Sequence, residues 1–206
     1  MNETITILSS VSLGIALSAA SGMRIFLPLF LSGIVIRLGL LGVSPEVMQT
    51  QAWLGSTAAL ICFGVATVTE AVAYKVPYLD HMLDVIGAPA ALLSGAILGT
   101  AFLVGIDDPV LKYGLGIVAG AGSAGVVHGT TALARVASTK TTGGFANPVF
   151  ALGELVSSAV TSILAFIMPM MIAALFLVFV VSVLFVARKK LIGQSKKLPG
   201  SPIANP

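Results

Sequence analysis

Charged side chains are scarce in this chain of 206 residues, where 11 Lys and Arg and 8 Asp and Glu make up only 9%. A soluble domain carries about a quarter. So few charges cannot cover a folded surface in water, which excludes a free-standing soluble enzyme or binding module. Cysteine occurs once, as Cys62 between Ile61 and Phe63, so an internal disulfide and a Cys-based metal site are both excluded. No basic stripe interleaved with aromatics is present, and nucleic acid is therefore not an expected partner. Five of the eleven basic residues (Arg188, Lys189, Lys190, Lys196, Lys197) instead sit together in the tail. The hydrolase signatures H-E-x-x-H and G-x-S-x-G are missing as well.

What the chain has in abundance is apolar sequence. Hydrophobic residues make up 57%, the mean hydropathy is +1.05, and apolar runs reach the roughly 17–25 residues that a bilayer requires. The expected fold class is an all-α integral membrane protein of about seven transmembrane or re-entrant helices. Candidate spans are 5–21, 26–42, 54–73, 85–105, 110–134, 149–167 and 169–187, forming one membrane domain over 1–188 with a basic cytoplasmic tail over 189–206. Residues 4–42 in one helix would measure ~58 Å at about 1.5 Å per residue, so that stretch must break, and Ser21, Gly22 and Pro28 mark the place. Pro169 follows an apolar run with no polar loop, which fits either a hairpin or a kinked helix. A cleavable leader is not expected, because Met1 to Glu3 is not basic and the first run outlasts a leader's apolar core.

Loop charges set the expected orientation. With the amino terminus outside and the carboxyl terminus in the cytoplasm, Arg24, Lys75, Arg135, Lys140 and the tail fall inside, while Glu3, Glu46, Asp107 and Asp108 fall outside. Arg37 and Lys112 dissent, but each lies near a span end and can snorkel. Two similar segments, Ala20 to Gly33 and Thr141 to Gly153, both run from small residues through glycine to Phe and Pro at the start of an apolar helix. They suggest repeats over 5–73 and 110–187 joined by a linker span, 85–105. That order resembles the architecture of the sugar-carrying SWEET transporters.

Ionisable residues inside apolar helices are costly and usually have partners or line wet cavities. Glu70, His128 and Glu154 lie four to six residues from the inner ends of their spans, roughly 6–9 Å deep. With Arg24, Lys140, Thr141, Thr142 and Asn147 they make the candidate site for a small ion or solute. Asp80 and Asp84, at i and i+4 with His81 between them, suit a divalent cation or a proton relay; the alternative is a solvated linker helix started by Pro77. No other cofactor is expected. The segment Ser138 to Pro148 is rich in hydroxyls and glycine, and its backbone N–H groups can cradle an anion at a helix start. Its alternative role is a tight connection whose hydroxyls cap the next helix. The spacing G-x-x-x-x-G-K-[ST] is absent, so nucleotide hydrolysis is not expected. Six glycines between Gly114 and Gly129 predict close packing of the fifth span, against another helix or against a second copy in a homo-oligomer.

The motifs S-G-M-R-I-F-L-P, A-W-L-G-S, E-A-V-A-Y-K-V-P-Y-L-D-H-M-L-D and S-T-K-T-T-G-G-F-A-N-P occur in this order between Leu13 and Ala187. Together they resemble the bacterial membrane-protein family catalogued as domain of unknown function 4126. The resemblance implies a polytopic protein of the bacterial inner membrane and no particular activity. Three functions compete: a small transporter or channel, which substrate flux would reveal; an enzyme acting on lipid headgroups, which would turn over a purified lipid; and a noncatalytic membrane scaffold, in which the polar residues would be dispensable.

Overall fold

Proline, glycine and short polar caps divide the apolar sequence into helices. The computed structural model describes residues 3–40, 43–73 and 77–195, with side chains over 3–40, 43–73 and 86–189. Eight helices are found among the described residues: α1 (Glu3–Met23), α2 (Phe26–Leu38), α3 (Pro45–Thr50), α4 (Thr57–Ala73), α5 (Pro77–Ala101), α6 (Pro109–Thr142), α7 (Asn147–Ile167) and α8 (Pro169–Ser195). Two starts follow one rule, an oxygen-bearing cap followed by proline at the first helical position. The Ser44 hydroxyl accepts the Val47 N–H at 3.3 Å ahead of Pro45, and Asp108 accepts the Leu111 N–H at 2.9 Å ahead of Pro109. Gly39 ends α2 in the left-handed region at φ 62°, where its N–H turns back to the Ile36 and Val35 carbonyls.

The chain is an all-α integral membrane protein. Four described helical stretches are long and apolar enough to cross a membrane: α1, α6, α7 and Pro169–Lys189 of α8. The other apolar stretches, α2, α4 and Ile86–Ala101 of α5, are shorter. With 13 residues, α2 extends only ~20 Å, less than the roughly 30 Å hydrocarbon layer. Several boundaries differ from the sequence expectation. Helix α5 begins at Pro77, so the segment read as a separate linker helix is its first two turns. Helix α6 continues to Thr142, past the expected end at 134. Helix α2 stops at Leu38 instead of 42.

Chain reversals bring the start of one helix against the end of another. Ser10 near the start of α1 bonds to Val104 just after α5, and the end of α4 reaches the start of α2. Met168 interrupts the run between α7 and α8 with φ −137° and ψ 62°. Helix α8 then packs on both α1 and α7, which a straight continuation of α7 could not do. The segments compared as repeats separate α1 from α2 and α6 from α7, and the helices after them have 13 and 21 residues.

The tightest helix pair is α5 with α6, where glycine faces glycine. A methyl group added at Gly95 would lie 2.5 Å from the Gly120 carbonyl oxygen and 2.5 Å from Ala124 Cβ. Only part of the α6 glycine series serves this contact. Gly116 and Gly120 face α5, whereas Gly114, Gly122 and Gly129 have nothing within 4 Å of an added Cβ. The apolar core lies beside this seam, with Leu17, Leu29, Leu54, Leu98, Phe102 and Phe166 buried together; Phe102 and Phe166 meet edge to face at 5.5 Å.

Candidate functional site

The break between α1 and α2 exposes backbone groups that a continuous helix would satisfy internally. Helices α4, α5 and α7 each supply a partner. Glu70, in the last turn of α4, accepts the Ile25 N–H at 3.0 Å through one carboxylate oxygen and the Phe26 N–H at 3.3 Å through the other. Its negative charge therefore sits at the positive end of α2. Ser94 of α5 donates to the Ile25 carbonyl at 2.9 Å, and Ser158 of α7 donates to the Ala20 carbonyl at 2.9 Å. Helix α6 approaches from the remaining side, so closely that a Cβ on Gly22 would lie 2.7 Å from Val127 Cβ and 3.0 Å from the His128 backbone nitrogen.

Glu70→Ala removes the acceptor for two N–H groups that have no intrahelical alternative. The expected loss is about 1–3 kcal/mol of stability, the range for leaving a buried donor unsatisfied. Unfolding midpoints in detergent, wild type against variant, measure it; an unchanged midpoint would show that Glu70 does not hold the break.

From this break Arg24 reaches across to α7. It is 1% exposed, the largest of the fully buried side chains, and it donates to the Ala151 carbonyl while lying 3.7 Å from Glu154. Glu154 also receives Arg135 of α6, whose Nε donates at 3.1 Å to one carboxylate oxygen and whose Nη2 donates to the other. This is the two-pronged guanidinium–carboxylate pairing that planar groups favour. All three residues are at most 8% exposed. One carboxylate is thus shared by two arginines from separate elements, and α7 is tied at one point both to α6 and to the α1–α2 break.

Among the residues singled out in the sequence, Arg24 and Glu154 come together directly, and Glu70 joins them at the break through backbone groups. His128 is buried on α6. Its ring and the Ile25 side chain converge over Gly87, at 3.2 and 3.4 Å from the position of an added Cβ. Asn147 is buried at the start of α7 and donates to the Thr139 hydroxyl at 3.0 Å. Lys140, Thr141 and Thr142 are exposed. The two threonine hydroxyls donate back to the Ala137 and Ser138 carbonyls of their own helix. The segment read as an anion cradle is unwound only from Gly143 to Ala146, where Gly143 and Gly144 adopt φ 65° and 90°. There the Phe145 and Asn147 N–H groups donate to the Thr142 and Gly144 carbonyls, and the Ala146 N–H donates to the Thr142 hydroxyl. The side chains of Asp80, His81 and Asp84 lie outside the described residues. Among the described residues, no group of three His, Cys, Asp or Glu side chains is placed to hold a metal ion.

Arg135 is the site residue that the sequence reading left out, having counted it only as a loop charge. Its signal is spacing: it follows His128 by seven residues, two helical turns on one face. Ser158 and Ser162 follow Glu154 at four-residue steps and draw a buried polar line down one face of the helix.

No curated protein and no solved structure matches the chain. The family described as "Domain of unknown function (DUF4126)" matches residues 11–189, a span that contains the whole break and every charged group around it. The chain belongs to that family, DUF4126.

Proposed function

We propose that the protein is a small transporter or channel whose ion or solute path is organised by the break between α1 and α2. The observation that carries this reading is the buried Arg24–Glu154–Arg135 group beside an interrupted helix. Ionisable residues are expensive inside a membrane and mark conduction or relay paths more often than packing. Interrupted helices are how many carriers present backbone ends to a solute near the bilayer midplane. Glu154 is the pivot in this reading. Its protonation, or an anion competing for the two guanidiniums, loosens the tie between α7 and the elements on either side. Glu70 keeps the start of α2 fixed meanwhile. The distribution of loop charge supports a bacterial inner-membrane location with the amino terminus outside, which puts the arginine–glutamate group nearer the cytoplasmic face.

The test is ion and solute flux in proteoliposomes, screening protons, alkali cations, chloride and phosphate, with wild type beside Glu154→Asp. The aspartate keeps the charge that balances the arginines but shortens the reach. The expected outcome is measurable flux of one ion class by wild type and at least a tenfold loss in a variant that still purifies as folded protein. If wild type moves none of these solutes and the substitution leaves cellular fluxes unchanged, the transport reading fails.

A further inference from the structure

At the opposite end of the helices from the arginine–glutamate group, the surface is concave where a lipid-facing helix pair is normally convex. The close glycine contact of α5 with α6 lets larger side chains diverge on either side of a trough. Leu93, Ala96, Ile97 and Thr100 of α5 line one wall, and Tyr113 and Ile117 of α6 line the other. The segment joining α3 to α4 closes one end with Thr50, Gln51 and Trp53. The trough is open along one side, and its volume is about 460 Å³, within the roughly 300–1,000 Å³ usual for small-molecule sites.

Two features give this trough a direction. Trp53 and Tyr113 are 49% and 57% exposed at its closed end, where amphipathic rings sit at the level of lipid headgroups. Lys112 directly precedes Tyr113 on α6, and Glu46 lies one turn before Thr50 on α3; the two are paired at 3.9 Å, with the Glu46 side chain 52% and the Lys112 side chain 22% exposed. The pair presents one negative and one positive charge side by side on residues adjoining an apolar trough. Glu3, Glu46, Asp107 and Asp108 outnumber Arg37 and Lys112 among the described groups at this end, so a purely anionic headgroup meets net repulsion. A headgroup with a phosphate and an ammonium meets a partner for each.

We propose that this trough binds a zwitterionic phospholipid, its phosphate against Lys112, its ammonium against Glu46, and one acyl chain along Leu93, Ile97 and Ile117. The site is separate from the α1–α2 break and does not depend on transport.

Trp53 is the single tryptophan of the chain, so its fluorescence reports the trough directly. Phospholipids brominated on the acyl chain quench tryptophan on contact. Purified protein is reconstituted with increasing mole fractions of brominated phosphatidylethanolamine or brominated phosphatidylglycerol in an unbrominated bilayer. The ethanolamine lipid is expected to reach half-quenching at a several-fold lower mole fraction. Glu46→Gln combined with Lys112→Ala changes one half-exposed and one partly exposed group and brings the two curves together. Ala96→Leu fills the trough and weakens quenching by both lipids. Equal curves for wild type would mean ordinary boundary lipid and overturn the proposal; so would a preference for the glycerol lipid, or a preference that survives the double substitution.

Discussion

Glu154→Gln is expected to destabilise the protein by about 3–5 kcal/mol, the range for breaking a buried ion pair by removing one partner. The carboxylate accepts from Arg135 at both oxygens and lies 3.7 Å from Arg24. An amide keeps one acceptor oxygen but cancels the charge, so two buried guanidiniums lose their shared anion. The cost is chiefly desolvation left uncompensated, and that makes a second result follow. Adding Arg135→Met to Glu154→Gln removes one of the stranded cations and should recover part of the loss, because an apolar side chain of similar length needs no partner there. Thermal unfolding in detergent, read by loss of the monodisperse peak on size exclusion, measures all three proteins. If Glu154→Gln unfolds with wild type, or if the double variant is worse than the single, the shared carboxylate is not what joins α7 to α6 and the break. A shift confined to flux, with unfolding unchanged, would assign Glu154 to conduction alone.

The helices were legible in the sequence wherever polarity and backbone chemistry agreed. Helix α7 was expected from 149 and begins at Asn147, and α8 begins at Pro169 as expected, because proline there both ends one apolar run and opens the next. Disagreement arose where a polar residue was taken for the end of a helix. Arg135 and Ser138 suggested that the fifth span had left the membrane by 134. In the folded protein Arg135 is neutralised by Glu154, so its charge gives the helix no reason to stop before Gly143. Asp80, His81 and Asp84 suggested a linker in the same way, yet the helix runs on from Pro77 to Ala101, and even Pro89 inside it, which lacks an N–H for the backbone ladder, does not end it. The short α3 went unread although its start signal, Ser44 followed by Pro45, stands in the sequence; six residues are too few for a period to show. For the site, depth was legible and pairing was not. An acid or imidazole a turn or two inside an apolar run announces burial, but Arg24 finds its α7 carbonyl 127 residues away. That separation is decided by how α1 and α7 pack, and no local pattern encodes it.

The α6 glycines supply the second large effect, because one substitution placed two residues apart should act in opposite directions. A Cβ at Gly120 would come within 2.9 Å of the Gly95 carbonyl carbon and 3.0 Å of Gly99 Cα, and closer still to the Gly95 oxygen. These are backbone atoms of α5 and cannot swing away as a side chain end would. Gly120→Ala must therefore push α5 and α6 apart along their tightest seam, at a cost of about 1–3 kcal/mol for overpacking. Gly122 has nothing within 4 Å of its added Cβ, and there alanine brings only its better helix propensity, a gain of up to about 1 kcal/mol. Parallel unfolding of the two variants in one detergent separates them by the sum of the effects. A Gly120→Ala protein as stable as Gly122→Ala would mean that α5 and α6 are not held in backbone contact, and the trough formed where their side chains diverge would lose its physical cause.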